Sequence, residues 1–334
     1  MMSSKDVSKV NDSITVINDW RTLHLIPLEE LNEQINSLLT KNKINVVLSS
    51  KRLKRLTSIQ YKLDINSDMR LGGMQDVGGY RIVLQNIKDL YKTYNIICKN
   101  VPNEFIMLDV KDYVEKPKDS GYRSIHFVYK YISDDKDYDG LRIELQIRTK
   151  LQHNWATAVE TAGLYTKTSL KSSQGDDKWL DYFKVISALF SLKEETNVLG
   201  LYSESTMQDL MLRCHEYNSE NKFCDILKAL TVTVNYEEIN KNKKEKKEYY
   251  IIYIDFTTRH VTINEFAIDE EAAASSLYSE IEQKVVDKKN AVVFVSVSKL
   301  KELRDAYPSY FFDTTEFFAA IDKISENCKL LGWI

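Results

Sequence analysis

The chain has 334 residues, 43% of them apolar, with a formal net charge of −3. That is enough apolar material for two compact units, and the balance offers no global basic field for nucleic acid or an anionic membrane. Cys98, Cys214, Cys224 and Cys328 are scattered without a close pair. We therefore expect neither a disulfide framework nor a zinc site, and a reducing compartment. The polar start MMSSKDVSKVNDS reads as no signal peptide, and no run approaches a membrane span, so the expected location is the cytoplasm.

In chain order, residues 14–65 read as helical, with Leu28, Leu31, Ile35 and Leu38 at helical spacing. Lys54, Ser58 and Lys62 recur every fourth residue, which predicts a shared helical face. The period changes at Gly79. Strands are expected at 80–84, 105–110, 122–132 and 141–148, with a helix at 87–98. In the last strand Arg142, Glu144 and Gln146 alternate with Ile143, Leu145 and Ile147. Helices are expected at about 150–164 and 178–195, with a helical connector to about 229. Beyond it, strands are expected at 230–234, 249–256, 261–266 and 291–297 and helices at 269–286 and 314–326. A charged insert, NKNKKEKKE, falls at 240–248. The fold class is α+β, divided into a domain at 1–200 and a smaller α+β accessory domain at 201–334.

Phosphoryl chemistry needs carboxylates for a divalent metal, cations for phosphate oxygens and an aromatic face for a base. Asp76 lies beside Gly78 and Gly79, which admit close backbone approach, and Glu144 sits mid-strand, where an unpartnered carboxylate is costly. Lys111, Lys116, Lys118 and Arg123 precede or flank Tyr122 and His126. Arg52, Lys54, Ser58 and Lys62 form a third cationic group suited to a triphosphate, and no P-loop sequence is present. Each feature alone has a plainer reading: a turn aspartate, a strand carboxylate paired with Arg142 or Arg148, a solvated lysine loop, a core tyrosine, a structural histidine, a basic helix face.

Together these strings resemble the synthetase domain of the RelA/SpoT family of alarmone synthetases. The resemblance rests on Arg52-Leu-Lys54, Ser58-Ile59, Lys62, Asp76-Val-Gly-Gly-Tyr-Arg81, Asp112-Tyr113 and Pro117-Lys118. It continues with Gly121-Tyr-Arg-Ser-Ile-His126 and Glu144-Leu-Gln-Ile-Arg-Thr149. It implies a nucleotidyltransferase-like mixed sheet and Mg²⁺ held by Asp76 and Glu144, with Glu144 taking the 3′-hydroxyl proton. It also implies adenine between Arg52 and Arg81, and ATP phosphates on Lys54, Ser58 and Lys62. Tyr122 would stack on the acceptor base, Lys111, Lys118 and His126 would surround phosphates, and Gln146 would line the acceptor side.

No His-Asp pair of the hydrolase half occurs, so the chain resembles the small, synthesis-only class. The activity implied is pyrophosphate transfer from ATP to the 3′-hydroxyl of GDP or GTP. The alternatives left open are a toxic synthetase acting on the 3′ end of tRNA or on an adenine nucleotide, and a non-catalytic nucleotide sensor. Residues 201–334 match nothing named and leave room for a protein regulator or for self-association.

Overall fold

In the computed structural model, the described residues are 13, 15–166, 177–225, 227, 235–239, 247–255, 260–284, 290–296 and 315–334. Residues 15–22 form helix α1 and are followed by α2 (Leu25–Lys41), β1 (Val46–Leu53) and α3 (Leu56–Ile65). Next come β2 (Gly78–Leu84), α4 (Ile87–Lys99), β3 (Phe105–Asp112), β4 (Ile125–Tyr131), β5 (Arg142–Thr149) and α5 (Lys150–Thr166). The remainder is α6 (Asp177–Lys193), α7 (Met207–Asn221), β6 (Asn235–Ile239), β7 (Lys247–Asp255), β8 (His260–Ala267), α8 (Glu271–Lys284), β9 (Asn290–Ser296) and α9 (Thr315–Leu330). Among the described residues no helix is long and apolar enough to cross a membrane.

The α+β class holds, with one correction near the start. Residues 46–53 are a strand, not part of a helical run. Their polar centre, Ser49-Ser50-Lys51-Arg52, hid the extended pattern; pairing with β2 on one side and β9 on the other sets the conformation. The helix therefore begins at Leu56, after Arg55 in an extended conformation, and Lys54 lies ahead of it. Only Ser58 and Lys62 share the α3 face. The expected strand at 122–132 is likewise shorter, starting at Ile125. The expected strand at 230–234 and most of the charged insert lie outside the described residues.

The strands join one mixed sheet in the order β3-β4-β5-β2-β1-β9-β7-β8-β6. β2 and β5 run parallel, while β1–β2, β4–β5 and β3–β4 are antiparallel. The division expected at residue 200 meets a sheet that runs through it, because β9 pairs with β1 at Lys51–Ser296 and Arg52–Val295. One apolar face, including Tyr80, Ile82, Ile143, Leu145, Ile147 and Phe127, packs on Leu28, Leu31 and Ile35 of α2 and Leu90 and Ile97 of α4. Ile251, Tyr278, Val292 and Phe294 extend the same core. A second core, rich in aromatics, joins α5, α6 and α7 with Phe317, Ile321 and Cys328 of α9.

Helix ends follow local chemistry. Asn86 caps α4 by accepting the Asp89 N–H at 2.9 Å, and Thr206 with Asp209 forms a reciprocal capping box on α7.

Candidate active site

The sheet's second face carries the polar residues. Side chains directly opposite one another across paired strands share a face, and so do residues two apart along a strand. The register places Arg52 opposite Gly79, Gly79 opposite Glu144, Arg81 opposite Gln146, and Gln146 opposite His126. Lys111 stands opposite His126 on β3. Five strands thus deliver Arg52, Arg81, Glu144, Gln146, His126 and Lys111 to one surface, while β5's alternate residues bury against α4. Gly79 leaves that surface open at its middle: a Cβ there would meet only the Arg52 carbonyl oxygen, at 3.7 Å.

Asp76 sits two residues before β2. Lys54 Nζ lies 2.8 Å from its Oδ2 and Lys62 Nζ 3.0 Å from its Oδ1. Burial pushes the Asp76 carboxyl up, but the two ammonium groups outweigh it and pull the pKa down to about 2. Lys54 reaches Asp76 from the β1–α3 junction rather than from the helix face, so the predicted meeting of Lys54 with Lys62 occurs by a different route.

Glu144 is held at both oxygens. His126 Nδ1 lies 2.8 Å from Oε1, and Gln146 donates to Oε2 at 2.5 Å. Burial raises its pKa, yet the hydrogen bond and charge of His126, with help from Gln146, keep it below the usual carboxylate range against the nearby charge of Asp76. The plain reading of a carboxylate paired with Arg142 or Arg148 gives way to this. Arg142 donates to the Gly73 carbonyl at 3.0 Å, and Arg148 turns to His153 at 2.5 Å.

The Tyr122 hydroxyl lies 3.0 Å from His126 Nε2. Burial pushes the Tyr122 phenol up, so it keeps its proton. An ionised Glu144 only accepts, so His126 Nδ1–H donates to it, and the Tyr122 hydroxyl holds the ring's other nitrogen. Tyr122 as a whole is 8% exposed. Its ring packs edge-on against Tyr113 and His126, and Lys118 Nζ lies 5.3 Å from its centroid and 4.4 Å from that of Tyr113. Gly121 makes this turn with φ of +89°, a conformation only glycine takes easily.

Lys118 lies within the fields of both carboxylates. Burial lowers its pKa; Glu144 and Asp76 oppose that, while Lys111 and Lys62 add to it. Lys111 itself pairs with Asp109 at 3.3 Å in an exposed position. Ser58 lies half-buried on α3, one turn before Lys62. Arg123, grouped with Lys111 and Lys118 in the sequence, instead turns away and is buried, donating to Ser187 Oγ at 3.2 Å and the Val114 carbonyl at 3.3 Å. Two contributors were not singled out for the site. Arg148 is buried within the fields of Arg81, Tyr122 and Arg52, and burial followed by Arg81 lowers its pKa to about 9. Its place two residues after Gln146 gave the signal. Tyr113, whose ring supports Lys118, gave none beyond its position beside Asp112.

Residues 51–169 match the region found in RelA/SpoT proteins. GTP pyrophosphokinase YwaC of Bacillus subtilis is 26% identical over 167 residues, covering 45% of this chain and 78% of YwaC. Probable GTP diphosphokinase RSH3, chloroplastic, of Arabidopsis thaliana is 33% identical over 125 residues, 36% of this chain but 16% of that protein. The crystal structure of small alarmone synthetase 1 from Bacillus subtilis aligns at 26% identity over 52% of this chain and 90% of that one, with a TM-score of 0.44. Over about a third of its length the chain thus resembles the region found in RelA/SpoT proteins, and its relatives include proteins named GTP pyrophosphokinase.

Proposed function

We propose that the chain transfers the β,γ-pyrophosphate of ATP to the 3′-hydroxyl of GDP or GTP. One observation carries the reading. Asp76, gripped by Lys54 and Lys62, and Glu144, held by His126 and Gln146, are both kept ionised, and both act on Lys118. Such a set of two carboxylates and surrounding lysines suits a polyphosphate and a hard cation.

The two carboxylates fit Mg²⁺, which takes one or two carboxylates and completes its shell with phosphate oxygens and water. Among the described residues no cluster of three or more His, Cys, Asp or Glu side chains suits a metal, and the reading does not need one. A bound Mg²⁺ supplies positive charge to the phosphate oxygens. The chain's residues supply the rest. Lys54 and Lys62, now on Asp76, turn to the ATP phosphates, with Ser58 beside them. Arg52 and Arg81, flanking Gly79, take the adenine ring. Tyr122 offers its ring to the acceptor base once Lys118 moves to a phosphate, and Gln146 and Lys111 border that side.

Glu144, its acidity set by His126, accepts the 3′-hydroxyl proton as the 3′-oxygen forms a bond to the β-phosphorus. The bond from that phosphorus to the oxygen it shares with the α-phosphate breaks, and AMP leaves with the electron pair. The test is purified chain with γ-labelled ATP and Mg²⁺ against GDP, GTP, ATP and deacylated tRNA, with products separated. Label in a 3′-pyrophosphorylated guanine nucleotide supports the reading. Label only in tRNA or an adenine nucleotide replaces it with the toxic-synthetase alternative, and no label anywhere favours a nucleotide sensor.

A further inference from the structure

The ATP side of the site is tied to the far end of the chain. Glu282, on α8, accepts the backbone N–H of Leu56 at 2.6 Å through Oε1 and pairs with Arg21 of α1 at 2.9 Å through Oε2. Tyr278, one turn earlier on α8, donates its hydroxyl to Glu282 at 2.6 Å, and its ring lies under the Arg21 guanidinium, 4.7 Å away. Arg21 also donates to the Lys54 carbonyl at 3.4 Å. Both members of the ion pair are 2% exposed at their side chains.

Leu56 is the first residue of α3, and Arg55 before it gives no side-chain cap. The first N–H groups of a helix have no partner within it, and a carboxylate there also meets the positive end of the helix dipole. Glu282 therefore supplies the cap that the local sequence lacks. Lys54 is fixed from both sides: its N–H donates to Val77 O at 2.7 Å, next to Asp76, and its carbonyl accepts from Arg21. Lys54 and α3's Lys62 are the two residues on Asp76.

We infer that Glu282, with Arg21, is a positioning residue for the ATP-phosphate lysines: it sets where α3 begins and where Lys54 leaves β1, so residues beyond 200 complete the nucleotide site. Glu282 touches no substrate and acts through Lys54 and Lys62. The inference rests on the ATP reading of that side.

A buried carboxylate removed from its arginine leaves an uncompensated charge, so Glu282→Ala can fail for reasons of folding alone. The informative variants in the full chain are Glu282→Gln and the paired Arg21→Met/Glu282→Leu, which replaces the ion pair by apolar volume while removing the Leu56 cap and the Lys54 contact. Binding of α,β-methylene ATP is measured by calorimetry, amide exchange is followed over residues 54–65, and the acceptor KM is determined. Phe317→Leu, in the separate aromatic core, is the matched control for lost stability. Both latch variants should weaken the analogue about tenfold and speed α3 exchange, with the acceptor KM within about twofold. Analogue affinity within about twofold of the native chain, or an equal loss in the control, overturns the inference and leaves the functional reading standing. A native chain that binds the analogue but forms no product, with affinity lost in the variants, overturns the functional reading and keeps the latch. A native chain that binds no analogue overturns both.

Discussion

Gly79 and Glu144 are register partners in the parallel pair β2–β5, and Arg52 faces the same glycine from β1. A residue with no side chain thus stands between the carboxylate and the arginine. Gly79→Ala is expected to fold with a stability change below about 1 kcal/mol, because its Cβ meets only a carbonyl oxygen at 3.7 Å. Nucleotide binding should nevertheless weaken, since the methyl group stands in the open floor. Thermal melting and ATP-analogue calorimetry read the two effects separately.

Its neighbour behaves in the opposite way. Gly78 points to the apolar face, where a Cβ would lie 2.6 Å from Ile143 Cδ1 and 3.4 Å from His24 Cβ. Gly78→Ala should cost about 1–3 kcal/mol through overpacking, measured by denaturant unfolding.

Asp76→Asn and Glu144→Gln each keep the shape and most hydrogen bonds of the site while removing a charge. We expect product formation to fall by about 10²-fold or more in each, with the melting temperature little changed. A variant at either position retaining native turnover would separate these carboxylates from the chemistry.

Tyr122→Phe distinguishes the two uses of that side chain. The ring is preserved, so base stacking alone predicts no loss. The hydroxyl on His126 Nε2 is removed, which leaves the ring orientation of His126 less constrained. A fall in kcat of about tenfold with unchanged acceptor KM is the expected result. An unchanged kcat would assign Tyr122 to packing and stacking alone.

Stability should fall with acid through His24. The side chain is fully buried, and desolvation outweighs its backbone hydrogen bonds to lower the pKa from 6.5 to about 4. The folded state therefore holds the imidazole neutral while the unfolded chain takes up a proton. The contribution is whole above pH 6.5 and is lost as pH falls toward about 4. Its limiting slope is about 1.4 kcal/mol per pH unit. Denaturant midpoints between these values should slope more steeply for the native chain than for His24→Gln.

What the sequence disclosed depended on how locally each feature is encoded. The alternation of Glu144 and Gln146 with Ile143 and Leu145 announced a two-faced strand, and burial follows it residue by residue. Clustered motifs named the carboxylates and lysines. Strand β1 was hidden because its conformation comes from two partners rather than from its own polar run. The same displacement moved Lys54 off the helix. Glu282 was invisible for a stronger reason: on an amphipathic helix it reads as a solvated residue, and its partners lie 226 and 261 positions away. The parallel β2–β5 register, which puts Gly79 beside Glu144, also belongs to topology and leaves no trace in either segment.

The pairing of β1 with β9 has a practical consequence for anyone isolating the catalytic portion. Ending the chain near residue 200 strips β1 of a neighbour and uncovers backbone donors and acceptors along Lys51 and Arg52. Such a bare margin invites strand addition from another molecule. The shortened protein should self-associate, and its failure in an assay would then report aggregation rather than the loss of a regulator.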